Sequence, residues 1–560
     1  MTLKEKISKV VQGEVSDDPK RLDAASRDAS LFELHPKLVV APLDAADLGR
    51  LIEYVTTHPD EKLSITPRSA GTDMSGGPLT ESIVVDMLPH FNKIHAITPH
   101  TASVQPGVFY RDFEKETLKK NALLPCYTAS RELNTIGGMV ANNSAGEKTL
   151  SYGKMEDYVE ELSVVFADGN EYIVKPLTRE ELELKIKQKD YEGALYKAVY
   201  NLIESNYDLI KGAKPKVTKN SAGYYLWNVW DRETGIFDLT KLIVGCQGTL
   251  GIVTNVKLKL IKPKKHSRML VIFLKETDKL GDLVNDVLKF KPESFESYDD
   301  HTLKLAIRFM PGLAKQMKGN LIKLGFSFIP EALMVMRMGG LPKLVLMAEF
   351  TGDHPKETED KTKAAYDAIR HYGYNMLTTV SEDQGRKYWT VRRESFNLLR
   401  KHLKDEHTAP FIDDTVVHPA DLPKFLPELN EIMGQYHITY TVAGHIGDAN
   451  FHIIPLMNLA DPESKKIIPK LSREVYDLVI KYGGSITGEH NDGLIRTPFL
   501  LDMYGHKVYN LFVETKRIFD PNDIFNPGKK VHANLKEALK HFVNDAHIVG
   551  DDKKGRWDIK

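Results

Sequence analysis

The chain has 560 residues, with 76 lysines and arginines against 77 aspartates and glutamates. This length predicts roughly two to four domains, and the balanced charge argues against a nucleic-acid-binding protein. The two cysteines, Cys126 and Cys246, cannot form a disulfide framework or hold a cysteine-ligated iron–sulfur cluster. The charged N-terminus lacks a signal-peptide pattern, and no run of about 18 apolar residues occurs, so we expect a cytoplasmic protein.

The first glycine-rich loop lies between two predicted strands. Residues 45–57 show helical periodicity after an aspartate. "KLSITP" predicts a short strand, "RSAGTDMSGG" the loop, and "SIVVDM" the second strand. A Rossmann nicotinamide site needs a helix after its glycines, because the pyrophosphate binds at the helix N-terminus. No helix is predicted there, so we reject a nicotinamide-binding domain.

Two further small-residue turns follow. "TIGGMVANNSAGEKTLSYG" begins at Thr135, and "VGCQGTLGIVTNVKLKL" begins at Val244 and ends in an alternating strand over residues 252–260. Glycines let backbone N–H groups face an anion such as phosphate. The alternation of these turns with strands and helices predicts an α+β domain whose loops converge on a ligand.

Beyond residue 264 the glycine-rich turns become rarer and longer αβ segments follow, so we place a domain boundary there. Residues 308–343 form an apolar insert with six basic residues and one acidic residue. A helical hairpin packed on the domain explains this composition. A basic amphipathic patch that contacts a membrane surface or a partner protein is the alternative.

The stretch "AGHIGDANFHIIP" predicts two strands around the turn residues 447–450. In that register His445 lies directly opposite His452, with Cβ atoms roughly 4.5–5.5 Å apart. "GGSITGEHNDG" adds Glu489 and His490 at a predicted strand end. Two histidines and a carboxylate with open positions are typical of a catalytic metal site. We therefore predict a divalent ion, zinc or manganese, on His445, His452 and Glu489, with a chance histidine pair on a surface hairpin as the alternative.

The glycine-rich segments "PRSAGTDMSGGPL", "NTIGGMVANNSAGEKTLSYGKMEDYVEELSVVFADG" and "VGCQGTLGIVTNV" resemble the FAD-binding domain of the vanillyl-alcohol-oxidase/PCMH flavoproteins. "HIGDANFH", "TGEHNDG" and "FDPNDIFNPGK" are similar to the branch of D-lactate, glycolate and D-2-hydroxyglutarate dehydrogenases. The resemblance implies an α+β fold in which a two-lobed PCMH-type FAD-binding domain and an αβ cap domain enclose the flavin. The implied divisions are an N-terminal extension (1–37), the FAD-binding domain (38–263), the cap domain (264–484, with the insert 308–343), a C-terminal segment that closes on the flavin (485–535) and a tail (536–560).

The resemblance also implies which residues contact FAD. The pyrophosphate loop comprises Arg68, Ser69, Ala70, Gly71, Thr72, Asp73, Ser75 and Gly76. The second flavin segment comprises Thr135, Gly137, Gly138, Asn142, Ser144 and Gly146, and the third comprises Gly248, Gly251, Ile252 and Val253. Asn526 belongs to the C-terminal motif. Some relatives carry the flavin covalently on a loop histidine, but Gly71-Thr72-Asp73 has none, so we expect non-covalent FAD.

The same resemblance implies metal-assisted oxidation of a D-2-hydroxy acid. A cation on the α-hydroxyl lowers its pKa, a base takes the proton, and a hydride passes to flavin N5. His490 is the predicted base, because it follows a ligand directly and titrates near neutrality; a hydrogen bond to substrate is its alternative role. "YWTVRRES" is similar to the family's W-x-x-R-E segment. Arg392 is therefore the predicted partner of the substrate carboxylate, and Arg393 an ordinary surface arginine.

Three positions depart from the family's motifs. Ala449 replaces a glycine and would be mildly strained at positive φ, whereas Asn491 also replaces a glycine but tolerates that conformation. Ile454 occupies the position of an asparagine in 2-hydroxyglutarate-type members, and their second-carboxylate lysine has no clear match. The sequence thus favours a small or apolar acid such as D-lactate, with D-2-hydroxyglutarate as an alternative.

The long branch of the family is fused to iron–sulfur domains, whose cysteines this sequence lacks. We therefore expect electrons to pass to a quinone, a separate iron–sulfur subunit or an electron-transfer flavoprotein. An alkylglycerone-phosphate synthase on the same scaffold is one alternative function, although the predicted metal ligands argue against it. A non-catalytic flavoprotein subunit that relays electrons is another.

Overall fold

The computed structural model describes residues 1–300, 302–304, 335–336, 338–381, 384–393, 407–459 and 461–543. Most of the predicted basic insert lies outside these ranges, so its contact with a membrane stays a prediction. No helix within the described ranges is both long and apolar enough to span a bilayer.

Strands and helices alternate through most of the described chain. The strands are β1 (Glu14–Ser16), β2 (Leu38–Ala41), β3 (Ile65–Arg68), β4 (Ile83–Asp86), β5 (Ile94–Ile97), β6 (Thr101–Val104), β7 (Val159–Val165), β8 (Glu171–Val174), β9 (Trp230–Asp231), β10 (Ile236–Phe237), β11 (Ile252–Lys259), β12 (His266–Leu274), β13 (Ser294–Asp299), β14 (Leu344–Gly352), β15 (Asn375–Thr378), β16 (His407–Thr408), β17 (Thr415–Val416), β18 (Thr439–His445) and β19 (Asn450–Met457). The α-helices are Leu3–Ile7, Pro19–Ala25, Ala45–Thr57, Tyr110–Leu118, Ile136–Asn142, Thr149–Tyr152, Arg179–Lys185, Tyr191–Ser205, Tyr207–Gly212, Thr240–Ile243, Leu280–Leu288, Pro355–Ile369, Leu422–Gly434, Pro462–Lys481, Gly493–Arg496, Leu500–Phe519 and Leu535–Ala538.

The N-terminal half contains three small sheets, one of which is the two-stranded pair of β9 and β10. In the first, ordered β1-β2-β4-β3, strand β4 pairs in parallel with both β2 and β3. The predicted helix is confirmed as Ala45–Thr57, with the side chain of Asp44 accepting from the N–H of Asp47. Its buried residues Leu48, Leu51 and Ile52 recur at helical spacing and pack in the core of this sheet. The glycine-rich loop joins β3 to β4, which confirms the predicted strand–loop–strand arrangement.

The second sheet is antiparallel, in the order β5-β6-β11-β7-β8. The predicted strand 252–260 is confirmed as its central member, β11. Its residues alternate between buried and partly exposed, because one face packs on the core and the other lies nearer to solvent. That core also contains the stretch from Tyr224 to Trp227.

A larger antiparallel sheet follows, in the order β15-β12-β14-β13-β18-β19-β16, with β17 also pairing to β19. One face buries residues such as Leu270, Ile272 and Phe295 in a core shared with the helices Leu280–Leu288 and Leu422–Gly434. Tyr298 on β13 lies opposite Ala443 on β18, and Ala443 lies opposite His452 on β19. Successive residues of a strand point to opposite faces, so the predicted metal-binding histidines lie on the other face.

The C-terminal segment returns to the first sheet. Ile65 at the start of β3 donates its N–H to the carbonyl of Ile524 at 2.7 Å, and Asn526 donates its N–H to the carbonyl of Ile65 at 2.9 Å. This pairing places the side chain of Asn526 beside the glycine-rich loops.

Candidate active site

The three glycine-rich segments converge, as the sequence predicts. Oγ of Ser69 in the first loop lies 2.5 Å from Oγ1 of Thr135 at the N-cap of the second segment. Asn142, at the end of the same helix, donates to Oδ2 of Asp73 at 3.0 Å. Gln247 from the third segment donates to Asp73 at 3.3 Å and to Oγ of Ser75 at 3.2 Å. These hydrogen bonds connect the three glycine-rich segments through their polar side chains.

Asn526 holds two of these loops together. Its amide donates to the carbonyl of Gly77 at 2.9 Å and to that of Gln247 at 2.7 Å, and its oxygen accepts from Thr66 at 3.1 Å. Gln247 itself was not predicted, because a single glutamine beside a glycine carries no distinctive pattern.

Several of the other predicted FAD residues are glycines that pack against neighbouring parts of the chain. A Cβ atom on Gly137, Gly146, Gly248 or Gly251 would approach neighbouring protein atoms at 3.0 Å or less, so these glycines permit close packing of the loops. Gly71 and Gly76 have positive φ, and Gly76 donates its N–H to Asp28 at 3.1 Å. Of the remaining residues, Ala70 and Thr72 lie in the first loop, Ser144 follows the helix Ile136–Asn142, and Ile252 and Val253 begin β11, and their contact with FAD stays a prediction.

Two observations fit a bound flavin nucleotide. Within the described ranges, Nη1 of Arg68 is buried without a hydrogen-bond partner, as expected for a group that meets an anionic ligand. A Cβ atom at Gly138 would lie 3.5 Å from Oγ1 of Thr135 and 3.7 Å from Oγ of Ser69. A larger side chain there would therefore fill the space between the first two loops.

The predicted hairpin forms, but its register differs from the prediction. His445 pairs with Asn450, and His452 pairs with Ala443, so the two histidines are diagonal rather than directly opposite. The reason is the turn, in which the 3-10 helix Ile446–Asp448 and Ala449 make a four-residue loop. The shift is an even number of residues, so both rings stay on one face, with centroids 5.2 Å apart.

Three imidazoles surround one carboxylate oxygen. Oε1 of Glu489 lies 3.3 Å from Nε2 of His445, 3.3 Å from Nε2 of His452 and 3.6 Å from Nε2 of His490. Four ligands at about 2.0–2.1 Å from one tetrahedral ion have donor atoms about 3.3–3.4 Å apart. The distances from Glu489 to His445 and His452 are therefore compatible with a shared divalent cation. Within the described residues, donor atoms of Asp414, His452, Glu489 and His490 all lie within 4.8 Å of one another, a group that includes the predicted base but not His445.

Each of these histidines has a carboxylate on its other nitrogen. Nδ1 of His445 contacts Oε1 of Glu296 at 2.7 Å. Nδ1 of His452 and Nδ1 of His490 contact the two oxygens of Asp413 at 2.9 Å and 2.5 Å. An ionised carboxylate only accepts hydrogen bonds, so Nδ1 donates and Nε2 faces the cluster; this is the usual outer shell of metal-binding histidines.

The segment with Glu489 is an irregular loop, not the predicted strand end. Asp414 shapes it: Oδ2 accepts the N–H groups of Glu489 at 2.9 Å and His490 at 2.7 Å, and the hydroxyl of Thr487 at 2.6 Å. Two backbone donors on one buried carboxylate replace the bonds that a strand would supply. The same loop reaches the flavin segments, since Asn491 donates to the carbonyls of Asn142 at 3.2 Å and Gly245 at 2.9 Å.

Lys219 is a fully buried member of the cluster that the sequence analysis did not identify. Its Nζ lies 3.2 Å from Oε2 of Glu489, 3.6 Å from Oδ2 of Asp448, 3.5 Å from Oδ1 of Asn450 and 3.3 Å from the carbonyl of Gly146. One ammonium group thus links a flavin segment, the cap hairpin and the loop with Glu489. Glu489 presents its other oxygen to the histidines.

The pKa values follow from these contacts. Burial opposes ionisation of Glu489, but Lys219 and His445 outweigh it and hold the pKa of this carboxyl well below its usual range. Burial also opposes ionisation of Asp413, and the adjacent His490 and His452 again lower its pKa. Burial disfavours the charged form of His452, but Asp413 and Glu489 raise its pKa to about 10.

Arg392 and Arg393 lie in a helical stretch, residues 384–393. Nη2 of Arg392 is 3.4 Å from Oε2 of Glu296, so this predicted substrate-binding residue is next to the carboxylate that supports His445. Arg393 is not the ordinary surface arginine that the sequence predicts. Its Nε donates to Glu147 of the second flavin segment at 3.1 Å, its Nη2 contacts the other oxygen, and its guanidinium stacks on Trp389.

The three residues that depart from the family motifs are all buried near the histidine cluster. Ala449 and Asn491 both adopt the positive φ that the missing glycines imply, 49° and 66°. Ile454 is buried on β19, two residues from His452 and on the same face. An apolar side chain therefore lies next to the predicted ligand.

Comparisons with known proteins agree with this geometry. A profile described as "FAD binding domain" matches residues 36–174, and one described as "FAD linked oxidases, C-terminal domain" matches residues 263–530. D-2-hydroxyglutarate dehydrogenase of Pseudomonas putida is 29% identical over 92% of this chain and 50% of its own length. Glycolate oxidase subunit GlcD of Bacillus subtilis is 26% identical over 91% and 92%, and D-lactate dehydrogenase of Archaeoglobus fulgidus is 24% identical over 94% and 98%. The chain thus spans about half the length of the D-2-hydroxyglutarate dehydrogenase from P. putida.

Two solved structures share the fold. The 4-ethylphenol oxidase of Gulosibacter chungangensis superposes with a TM-score of 0.65 at 16% identity, covering 94% of this chain and 96% of that chain. p-Cresol methylhydroxylase gives the same TM-score and identity, with 94% and 95% covered. The predicted α+β, PCMH-type architecture is confirmed. The chain carries the FAD-binding domain and the C-terminal domain of the FAD-linked oxidases, and its relatives in these comparisons include D-2-hydroxyglutarate dehydrogenases, D-lactate dehydrogenases and a glycolate oxidase subunit.

Proposed function

We propose that this protein is an FAD-dependent, metal-assisted dehydrogenase that oxidises a D-2-hydroxy acid to the 2-oxo acid. The observation that carries the proposal is the convergence of His445 and His452 from the hairpin with Glu489 and His490 from a loop that contacts the flavin segments. A ligand set with open positions next to a flavin cleft suits a substrate that must be both coordinated and oxidised.

The cofactors supply the reactive centres and the protein residues supply position and proton transfer. When bound, FAD supplies a two-electron acceptor, and a divalent cation supplies a Lewis acid that lowers the pKa of a coordinated hydroxyl. Arg68 and the loops around Asp73 and Thr135 would hold FAD; His445, His452 and Glu489 would hold the cation. Arg392 offers a guanidinium for the substrate carboxylate.

Oxidation of a 2-hydroxy acid removes two electrons and two hydrogens. His490 accepts the hydroxyl proton at Nε2, because Asp413 occupies its Nδ1. The α-hydrogen leaves with its electron pair toward the flavin cleft. Lys219 keeps Glu489 ionised and its Oε1 directed at the histidines throughout.

For the substrate we propose a small acid such as D-lactate. Ile454 places an apolar side chain beside His452, where a polar side chain would suit a second carboxylate. The relatives named D-2-hydroxyglutarate dehydrogenase keep that dicarboxylate as the second candidate.

An anaerobic bleaching assay tests the proposal. FAD-replete protein loaded with Zn²⁺ or Mn²⁺ is mixed with D- and L-lactate, glycolate and D-2-hydroxyglutarate while flavin absorbance is followed. We expect bleaching by a D-acid, its loss on chelation, and its loss in His452→Ala and Glu489→Gln. The matched control Asp238→Asn, a buried aspartate that accepts from Thr240 elsewhere in the flavin half, should bleach normally. No bleaching by any of these acids would refute the proposal.

For the electron acceptor we propose a quinone, an iron–sulfur subunit or an electron-transfer flavoprotein, since no Rossmann-type loop is predicted. Bleached protein mixed with a soluble quinone should regain flavin absorbance, whereas NAD⁺ should have no effect. The proposed membrane contact of residues 308–343 is tested separately by flotation with anionic vesicles, where salt should reduce binding.

A further inference from the structure

Asp413 binds two histidines at once. Its Oδ1 lies 2.9 Å from Nδ1 of His452, and its Oδ2 lies 2.5 Å from Nδ1 of His490. The two rings are nearly parallel, with an interplanar angle of 21° and centroids 5.0 Å apart. Because both rings rest on one carboxylate, they point their Nε2 atoms in the same direction, toward Oε1 of Glu489.

The two rings have different proposed roles but the same chemical requirement. A metal ligand such as His452 needs the lone pair of Nε2 for the cation, and a proton acceptor such as His490 needs it for the proton. A neutral imidazole presents that lone pair only when its other nitrogen carries the hydrogen. A carboxylate at Nδ1 selects this tautomer, and Asp413 does so for both rings.

A hydrogen bond from Arg496 fixes the position of Asp413. Arg496 is fully buried and donates from Nη2 to the carbonyl of Asp413 at 2.9 Å and from Nη1 to the carbonyl of Asn491 at 3.1 Å. The guanidinium therefore holds Asp413 at a set distance from the turn that follows His490. His445, by contrast, has its own carboxylate, Glu296.

We propose that Asp413 is a positioning residue that couples metal binding to proton transfer, by holding His452 and His490 in the same tautomer and orientation. The His490 half of this inference rests on the proposed function; the His452 half concerns metal affinity alone. Loss of Asp413 should therefore impair two separately measurable properties.

The test uses the FAD-replete protein with Asp413→Ala and Asp413→Asn, and Asp238→Asn as the matched buried-aspartate control. The dissociation constant for Zn²⁺ is measured by chelator competition, and the bleaching rate at saturating Zn²⁺ is measured over a range of D-lactate concentrations. Asp413→Ala should weaken Zn²⁺ binding by about 10–100-fold, as outer-shell changes at histidine ligands do. It should also lower the saturated bleaching rate at least tenfold, while half-saturation by D-lactate moves less than about threefold, since Arg392 is unchanged.

Asp413→Asn keeps the shape of the side chain and carries the test if the alanine variant does not fold. Its single acceptor oxygen can serve only one ring, so either Zn²⁺ affinity or the saturated rate should fall at least tenfold. The inference is overturned if folded Asp413→Ala keeps either property within twofold of the wild type, or if Asp413→Asn keeps both. If no acid bleaches the wild type, the proposed function fails, but the Zn²⁺ measurement still decides the His452 half.

Discussion

The ammonium of Lys219 and the carboxylate of Glu489 form a buried ion pair, with 3.2 Å between Nζ and Oε2. Lys219 comes from the flavin half and Glu489 from the C-terminal loop, so the pair holds together parts of the chain 270 residues apart. Nζ also lies 3.6 Å from Oδ2 of Asp448. Both buried carboxylates therefore contact the same ammonium group.

Lys219→Met should destabilise the metal-free protein by about 3–5 kcal/mol, because it leaves the ionised carboxylate of Glu489 buried without its ammonium partner. Added Zn²⁺ should recover part of this loss, since it supplies positive charge to Glu489. Urea unfolding with and without Zn²⁺ measures both effects. The exposed lysine variant Lys466→Met should change stability by less than about 0.5 kcal/mol; an equally small change in Lys219→Met would contradict the expectation.

Glu147→Gln should destabilise the protein in a pH-dependent way. Burial opposes ionisation of Glu147, but Arg393 lowers its pKa from 4.5 to about 2. A lowered carboxyl pKa contributes stability that is present above about pH 4.5 and is lost as the pH falls toward 2. We expect a loss of about 3 kcal/mol at pH 7 that shrinks steadily below pH 4.5, measured by urea unfolding. The exposed variant Glu81→Gln should show no such trend, and a pH-independent difference would contradict the ion pair.

Asp28→Asn should have the opposite pH dependence. Burial, reinforced by the charge of Asp73, raises the pKa of Asp28 from 3.8 to about 7. A raised pKa contributes stability that is fully present below about pH 4 and is lost as the pH rises through 7. The FAD-free wild type should therefore lose stability relative to Asp28→Asn between pH 4 and pH 8, by up to about 4 kcal/mol. Thermal unfolding of the wild type and of Asp28→Asn is measured across this range, with the exposed variant Asp60→Asn as the control. An equal difference in stability at every pH would contradict the raised pKa of Asp28.

Ala449→Gly should be better tolerated than the same change at Ala443. Ala449 has φ of 49°, a conformation that costs a residue with a Cβ roughly 1–2 kcal/mol and costs glycine little. Ala443 lies within strand β18, where glycine costs about 0.5–1 kcal/mol. We expect Ala443→Gly to be the more destabilising by at least about 1 kcal/mol in urea unfolding. The reverse order would show that burial of the Ala449 methyl group outweighs its backbone conformation.

Local patterns allowed a few elements to be predicted, whereas the architecture was implied by the family resemblance. The helix Ala45–Thr57, the strand–loop–strand around Arg68 and the hairpin with His445 follow from periodicity and turn residues that are neighbours in the sequence. The hairpin register was predicted wrongly, because it depends on whether Ile446–Asp448 forms a 3-10 helix. The residues "HIGDAN" do not determine this conformation. The register shift of two residues left both histidines on the same face.

The supporting residues of the site were missed for a different reason. Glu296, Lys219 and Asp413 each contact the histidine cluster from a distant segment, so no spacing connects them to it. One signal was present: "FIDDTVV" places two aspartates inside an apolar stretch, and buried carboxylates need partners. Glu296 in "SFESYD" gives a similar, weaker signal.

The order of the contributing segments along the chain has a consequence for biogenesis. The ribosome adds these residues in the order Lys219, Glu296, Asp413, the hairpin residues and finally Glu489 with His490, which complete the cluster. A nascent chain therefore has no complete cation site until translation has passed residue 490. An ion bound at this proposed site can therefore be taken up only after residue 490 has been synthesised, and it cannot guide the earlier steps by which the flavin half folds.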